Sequence, residues 1–328
     1  MSDETIEKTF QVAAPARLII SNIRGSITVQ PGETNVIEVK AVKHGNFDND
    51  RNVVEMTQDA DGSVRVETRS NEALFGFLSH PPKVDYFLRV PQGIHLDASC
   101  ISSSLNVTDL EGVFKFKTIS GDVALAKLSG PFKLSGVSGD VSGSQLAGVL
   151  DLDTVSGNVR LTESSFPSAD GSTVSGDLLL QTPVSNGPYL FSSVSGSVHV
   201  LVPPDTHCNV ELNSVSGSIR SSLPVTSTKM GHGSKVTQVQ GGGTTVRLKS
   251  VSGGVSIETE GMPANPVTTT EPDYESPIPP IPPIPPIPSI LTTPASIPET
   301  LSTSEILQRI ERGEMTVDEA LKLMKDQS

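Results

Sequence analysis

The chain has 328 residues, a formal net charge of −13 at pH 7 and a sequence pI near 4.9. This length allows one large elongated domain or two ordinary ones, and so acidic a surface argues against a nucleic-acid partner. No stretch reaches the roughly 18–20 apolar residues of a transmembrane segment. The start, "MSDETIEKTF", does not resemble a signal peptide, so we expect a cytoplasmic protein, with envelope association as the alternative.

Residues 5–98 contain several runs in which apolar and polar residues alternate, among them "NVIEVKAVKHG", "GSVRVETRS" and "KVDYFLRVPQG". Such alternation is typical of half-buried strands. It predicts a β-rich N-terminal part that continues into the repeat domain after residue 98. The segment "NIRGSITV" at residues 22–29 already resembles one corner of that repeat.

One segment of this part, "NEALFGFLSHPP", crowds apolar residues into a loop between predicted strands. These residues are Leu74, Phe75, Phe77 and Leu78. Two interpretations are open. The segment either caps the β core, or it forms an exposed contact patch for a partner or a membrane surface, as contiguous apolar patches usually do.

A five-residue motif, apolar-Ser-Gly-x-apolar, recurs between residues 119 and 255. Its glycines are Gly121, Gly139, Gly157, Gly176, Gly196, Gly217 and Gly253, at steps of 18, 18, 19, 20, 21 and 36 residues. The last step is either one coil without the motif or a longer excursion. A second series, Gly112, Gly130 and Gly148, divides the first units into two halves with alternating apolar residues.

This repeat predicts an all-β fold, a β-solenoid of 18–21-residue coils with two opposed sheets over residues 99–261. Stacked coils bury apolar ladders with a spacing of about 4.8 Å. An antiparallel β-sandwich is the alternative, because the period does not reveal strand direction. We expect the corner glycines to adopt positive φ. We expect either the serine hydroxyl of the motif, or Asp122, Asp140 and Asp177 just after the glycine, to bond freed backbone groups. Ser103 stands where a corner glycine is expected, one full motif step before Gly121.

Roughly residues 5–260 resemble the bacterial "putative adhesin" β-repeat domains, a family of unknown function. The resemblance rests on "RVPQGIHLDASCISSSLNV", on the successive "VSGD" corners and on the closing "VQGGGTTVRLKSVSGGVSIE". It implies a repetitive β fold and a surface or envelope context. Within the closing segment, we interpret "VQGGGTT" as a hairpin turn.

Residues 262–300 are a proline-rich linker centred on "PIPPIPPIPPIPS", where proline prevents both helix and central strand. In polyproline II, Ile278, Ile281, Ile284 and Ile287 form one stripe along a rod of about 35–40 Å. The linker is interpreted as a spacer. Docking onto an aromatic groove is the other interpretation, although acidic residues precede the rod where many such ligands are basic.

Residues 301–328 predict a helical hairpin. Ser302 or Ser304 caps the first helix, Gly313 ends it, and Thr316 with Glu319 forms a capping box for the second. Its predicted docking face consists of Ile306, Leu307, Ile310, Val317, Leu321 and Met324. Helices this short are not stable alone, so they must dock on the β domain, a second copy or a partner. The stretch "ILQRIERGEMTVDEALKLM" resembles the SHOCT-like short C-terminal domain, which implies docking or oligomerisation and no chemistry.

No motif predicts a catalytic residue, a cofactor or a metal site. Asp122 and Asp140 would be the carboxylate pair of a polysaccharide hydrolase or lyase, but backbone bonding in the repeated turn explains them, and the chain has no Trp. Calcium binding by stacked turns is disfavoured because Asn158 and later residues interrupt the aspartates. Cys100 and Cys208 are predicted to be small, partly buried thiols.

We therefore predict a non-catalytic β-repeat scaffold or binding protein, related to the envelope or to adhesion. Its C-terminal hairpin would dock on a protein partner or self-associate, and the prediction includes no cofactor and no nucleic acid. A carbohydrate-active enzyme built on a β-solenoid is the alternative.

Overall fold

The structure is a computed structural model, and it describes residues 3–44, 52–70, 83–223, 225–231 and 234–259. These residues form strands and turns, without a helix among them. The strands are β1 (Glu4–Gln11), β2 (Ala16–Pro31), β3 (Val36–His44), β4 (Asn52–Gln58), β5 (Val64–Ser70), β6 (Lys83–Val90), β7 (Gly93–Thr118), β8 (Val123–Ser129), β9 (Phe132–Ser138), β10 (Val141–Ser144), β11 (Leu150–Ser156), β12 (Val159–Thr162), β13 (Ala169–Ser175), β14 (Leu178–Gln181), β15 (Tyr189–Ser193), β16 (Val198–Val202), β17 (Cys208–Ser214), β18 (Ile219–Ser221), β19 (Val225–Gly231), β20 (Ser234–Val239), β21 (Thr244–Ser250) and β22 (Val255–Thr259). The predicted linker and helical hairpin lie outside the described residues.

The strands form two opposed ladders, joined where the long strands β2 and β7 bend through a corner and take part in both. One ladder runs β4-β5-β2-β7-β9-β11-β13-β15-β21-β17-β20-β19. The other runs β1-β3-β6-β2-β7-β8-β10-β12-β14-β16-β22-β18.

Successive coils pair in parallel, in the register that the period predicts. Val141 of β10 lies opposite Val123 of β8 on one side and Val159 of β12 on the other, one motif step away in each direction. Within the described ranges, antiparallel pairs occur at the two ends of the stack, as in β1-β3-β6 and β17-β20-β19. The β-solenoid prediction is confirmed, and the antiparallel sandwich is wrong for the coils.

The coils are not stacked in chain order at either end. The last coil, β21 and β22, inserts between the β15-β16 coil and the β17-β18 coil. The long last step between motif glycines is therefore an excursion through β19 and β20, after which the chain returns to the stack. β2 is inserted in the same way at the other end, between β7 and the β5-β6 pair. Because β17 separates β20 from β21, the prediction of a hairpin turn at "VQGGGTT" is wrong.

A single apolar core fills the space between the ladders along the whole stack. The alternation predicted from the sequence holds, and each inward row stacks one side chain per coil. Phe114 and Phe132, on neighbouring coils, stack with ring centroids 5.3 Å apart, and the ring of Phe166 meets Phe132 edge-on at 6.2 Å. Repetition thus builds a core from units that could not bury one alone.

Candidate functional site

The seven motif glycines form one column along a corner of the solenoid. At each of them an added Cβ would lie closer than 3.0 Å to the carbonyl oxygen of the neighbouring corner, which is too close for any side chain. Only Gly157 and Gly176 have positive φ, at 138° and 147°. The expectation of positive φ is therefore wrong for the other five, where the coil-to-coil distance requires glycine. Ser103 pairs with Gly25 in the same column, as its position predicts.

The residue after the corner glycine bridges neighbouring coils from Asp122 to Ser197. The backbone N–H of Asp140 donates to Oδ1 of Asp122 at 3.0 Å, and that of Asn158 donates to Oδ1 of Asp140 at 2.8 Å. The same bond recurs from Asp177 to Asn158 at 3.2 Å and from Ser197 to Asp177 at 2.8 Å. Asp122 and Asp140 are thus used as backbone acceptors, as the turn chemistry predicts, and an asparagine serves equally well.

A row of small hydroxyl side chains lies buried just before the corner. The Thr118 hydroxyl donates to the carbonyl oxygen of Gly121 at 2.9 Å and accepts its N–H at 3.0 Å. Ser214 and Ser250 also donate to corner carbonyl oxygens, of Gly253 and Gly196. Three hydroxyls of this row, those of Thr154, Thr173 and Ser193, have no hydrogen-bond partner among the described residues.

The first residue of the motif changes its environment along the stack. Ile119, Val137 and Val155 are buried, but the exposed fraction is 43% at Val194, 49% at Val251 and 81% at Val215. These valines line an open groove of about 950 Å³, which we call the valine groove. Its lining is Ser172, Thr173, Val174, Ser192, Ser193, Val194, Asn213, Ser214, Val215, Ser234, Lys249, Ser250 and Val251.

The geometry of the valine groove follows from the stack. Strands β13, β15, β21 and β17 lie side by side in that order, and each contributes two residues to the groove, followed by the motif valine. Val174 lies within β13, whereas Val194, Val251 and Val215 directly follow their strands. The groove therefore runs along the solenoid axis, across the strands. Its floor holds small hydroxyl side chains, including the unpartnered Thr173 and Ser193, and valines follow one side of it.

The other side of the groove is polar and carries a positive charge at the exposed Lys249. Two residues before it, Arg247 donates from Nε to Glu211 Oε2 at 2.6 Å, across from β21 to β17. This hydrogen bond, together with the charges of Arg247 and Lys249, holds the pKa of Glu211 below its ordinary value. An apolar wall facing polar donors suits an extended chain with apolar side chains and free carbonyl oxygens.

The opposite corner has a smaller cavity of about 230 Å³, near Asp109, Lys127 and Gln145. Two valines are exposed at this corner, Val113 at 44% and Val149 at 47%. They match the groove valines in type and exposure but do not line the valine groove. They are therefore suitable control positions.

The two cysteines are unpaired, as predicted, and they are fully rather than partly buried. Burial raises the pKa of Cys100 and of Cys208 to about 11, so both thiols are protonated at neutral pH. Within the described ranges, no three His, Cys, Asp or Glu side chains converge on a metal site. Nor does any helix there have the length and apolarity of a membrane span. The predicted patch at residues 74–78 and the predicted docking face at residues 306–324 lie outside the described residues.

Sequence reasoning missed the valine groove because its valines occupy the same motif position as buried ones. One signal was present. The residue before the valine is serine in the three exposed copies, Ser193, Ser214 and Ser250, whereas threonine or glycine stands there in the earlier copies. The residue after the corner glycine also changes there, from Asp or Asn to Ser or Gly.

Parallel coils, a stacked glycine corner and coil-to-coil side-chain bridges define this protein as a β-solenoid. The family model described as Toastrack DUF4097 matches residues 16–258. The chain belongs to the Toastrack DUF4097 family.

Several solved structures are similar to the chain over 78% of its length. A "putative adhesin" from Parabacteroides distasonis is 14% identical, with a TM-score of 0.42 and 97% of its own chain covered. A "putative lipid binding protein" from the same organism is 12% identical, with a TM-score of 0.39 and 96% covered. A "putative cell adhesion protein" from Clostridium sporogenes is 10% identical, with a TM-score of 0.26 and 100% covered. None of the curated proteins compared with the chain matches it.

Proposed function

We propose that this protein is a non-catalytic binding scaffold whose valine groove holds an extended segment of a partner protein. The observation that carries the proposal is the groove itself, where Val194, Val215 and Val251 are exposed although the same motif position is buried in earlier coils. A contiguous apolar surface of this kind marks a contact site. The C-terminal hairpin, in this proposal, joins copies of the chain or docks them on a partner.

The size of the groove implies weak binding by a single chain. Covering the three exposed valines contributes at most about 1.5 kcal/mol each. Association and the ordering of an extended partner offset much of this, so a single groove binds with a Kd of about 1 mM or weaker. Several grooves joined through their hairpins would bind an array of sites far more tightly, provided that the linkers let them reach their targets together.

Two features support a role without catalysis. The carboxylates of Asp122 and Asp140 are acceptors in the coil-to-coil bridges, and the thiols of Cys100 and Cys208 are buried and protonated. A carbohydrate-active enzyme on the same fold would release reducing ends from an envelope polysaccharide and lose that activity in the Asp122→Asn variant. The scaffold proposal expects no turnover in either protein.

The groove is tested by panning a phage library of random dodecapeptides on the full chain. Peptides enriched on the unmodified protein should lose binding to Val194→Asp/Val215→Asp at least tenfold. They should keep binding to the control variant Val113→Asp/Val149→Asp, which adds the same charge at exposed valines of the other corner. Equal binding of the enriched peptides to both variants would contradict the proposal.

The hairpin is tested by light-scattering mass measurements over a range of concentrations. The full chain is expected to self-associate, and Ile310→Asp/Leu321→Asp should remove the association by charging the predicted docking face. The matched control Gln308→Asp/Gln327→Asp adds the same charge outside that face and should have no effect. A full chain that is monomeric at every concentration would contradict self-association and leave docking on a different protein.

The compartment belongs to the same proposal. We place the protein in the cytoplasm, associated with the envelope through its partners, and the two unpaired cysteines are compatible with a reducing compartment. Cell fractionation tests this: detection of the protein only outside the cytoplasmic membrane would contradict it.

A further inference from the structure

In the valine groove, the first residue of the repeat motif is exposed to solvent, whereas in the earlier coils the same position is buried. Ile119 and Val137, at the same motif position, are fully buried, whereas Val194 and Val215 are exposed on neighbouring parts of the same corner. The floor of this part of the groove holds the unpartnered hydroxyl of Ser193. The exposed valines, rather than the hydroxyl, which is shielded and has an unpartnered counterpart at Thr154 under the buried Val155, indicate that the groove has an occupant.

The spacing of the row identifies a segment that fits it. Along the axis the valines follow in the order 174, 194, 251 and 215, each about 4.8 Å from the next, so every second valine recurs at about 9.6 Å. In the Ile-Pro segment, residues 277–288, isoleucine recurs every third residue. Polyproline II rises about 3.1 Å per residue, which places successive isoleucines about 9.3 Å apart. Two isoleucines such as Ile281 and Ile284 can therefore face Val194 and Val215 together.

The backbone of such a segment also suits the polar side of the groove. Proline has no N–H, and a polyproline II helix makes no internal hydrogen bonds, so its carbonyl oxygens need external donors. Ser192, Asn213 and Lys249 offer hydroxyl, amide and ammonium donors along the groove. Because proline already restricts the backbone, docking costs little conformational entropy.

The length of the tether places the segment within reach of its own groove. β22 ends at Thr259, and residues 260–276 separate it from the segment. A flexible chain of this length spans about 23 Å. The groove valine Val251 precedes β22, a short strand that extends about 17 Å. An intramolecular partner at this reach has a millimolar effective concentration, which a second copy at micromolar concentration cannot match.

Charge favours the same occupant. The tether carries Glu271, Asp273 and Glu275 immediately before the segment, and the groove presents Lys249. A peptide without acidic residues next to its apolar stretch would lack this attraction to Lys249. The attraction is modest for exposed charges and weakens with salt.

We propose that the Ile-Pro segment, residues 277–288, docks in the valine groove of its own chain, with its isoleucines against the exposed valines. The inference rests on the proposed function, since it takes the groove to be a peptide-binding surface. It adds a regulatory consequence: an external partner must displace the segment before it occupies the groove.

The test is a disulfide pair in the full chain. Ser192→Cys in the groove is combined with Pro283→Cys in the segment, and the control pair combines Val149→Cys at the opposite corner with Pro283→Cys. Cys100 and Cys208 are buried and do not compete. Both proteins are equilibrated in a glutathione redox buffer at micromolar protein, and the intramolecular disulfide is quantified on non-reducing gels.

Docking predicts an effective thiol concentration at least tenfold higher for the groove pair than for the control pair. Adding Ile281→Ser/Ile284→Ser should reduce the groove pair to the control value, while the cooperative thermal unfolding of the β stack is retained because neither residue belongs to the described core. Equal values for the two pairs would overturn the inference. So would disulfides that form only between chains, which would assign the groove to a second copy.

Failure of the inference is distinguishable from failure of the proposed function. If library peptides bind the valine groove but the groove pair equals the control, only the inference fails. If the groove pair forms but no peptide binds, even to the Ile281→Ser/Ile284→Ser chain whose groove is free, the proposed function fails and the groove is an internal contact alone.

Discussion

Alanine substitution at four glycines separates the two physical reasons for glycine in this fold. At Gly139 an added Cβ would collide with a neighbouring corner, and φ is not positive; at Gly157 there is a collision and φ is 138°. At Gly62 an added Cβ meets nothing within 4 Å, but φ is 82°, and at Gly93 there is open space and φ is not positive. The four variants therefore represent crowding alone, crowding with positive φ, positive φ alone, and neither effect.

The expected magnitude at Gly139 comes from the bonds on its crowded side. The Cβ must retreat by about 1 Å to reach an ordinary C···O contact. This movement breaks the bond from Ser138 N to Ile119 O, 2.7 Å, and that from Asp140 N to Asp122 Oδ1, 3.0 Å. Each bond contributes about 1 kcal/mol, so Gly139→Ala should lower the free energy of unfolding by about 2–3 kcal/mol.

The other three substitutions follow from the same terms. Positive φ costs an alanine about 1–2 kcal/mol, so Gly157→Ala should lose about 3–5 kcal/mol and Gly62→Ala about 1–2 kcal/mol. Gly93→Ala should lie within about 0.5 kcal/mol of the unmodified protein. Urea unfolding of the full chain, followed by far-UV circular dichroism, measures all four. If Gly139→Ala is as mild as Gly93→Ala, coil-to-coil contact is not the reason for the glycine column.

Three further predictions concern other parts of the stack. Asp140→Ala should lose about 1 kcal/mol because Asn158 N loses its acceptor, whereas Asp140→Asn keeps an acceptor oxygen and should be nearly neutral in urea unfolding; equal losses would contradict the bridge. Phe132→Ala removes a ring packed between two others and should cost about 3–5 kcal/mol in the same assay, and a loss below about 1 kcal/mol would contradict that packing. Cys100 and Cys208 should resist a thiol reagent at pH 8 until urea is added. Fast labelling of the folded chain would contradict their burial. Because the pKa of each thiol rises from 9.0 to about 11 on folding, the folded state should also lose stability as the pH rises from 9 towards 11.

The sequence predicted the parts of the fold that depend on local period. The constant step between the first motif copies places Val123, Val141 and Val159 in one row, and parallel pairing in that register follows from the need to stack them. The place of Ser103 in the corner column follows in the same way.

The order of coils at the ends could not be predicted. The motif of Gly253 is equally compatible with stacking on the coil of Gly217, which precedes it in the chain, and with insertion next to the coil of Gly196. Insertion next to Gly196 depends on the whole course of β19 and β20. The valine groove was hidden for a related reason. Val137 and Val194 are identical in motif position, and only the surrounding packing decides which of them is buried.

Methyl NMR of the full chain tests binding through the valine groove most directly. The methyl resonances of Val194 and Val215 are assigned together with those of Val113 and Val149, and a peptide enriched by the library is titrated in. Binding through the groove predicts shifts that saturate at Val194 and Val215 and leave Val113 and Val149 unchanged. Shifts at the opposite corner with none at Val194 and Val215 would contradict the central claim.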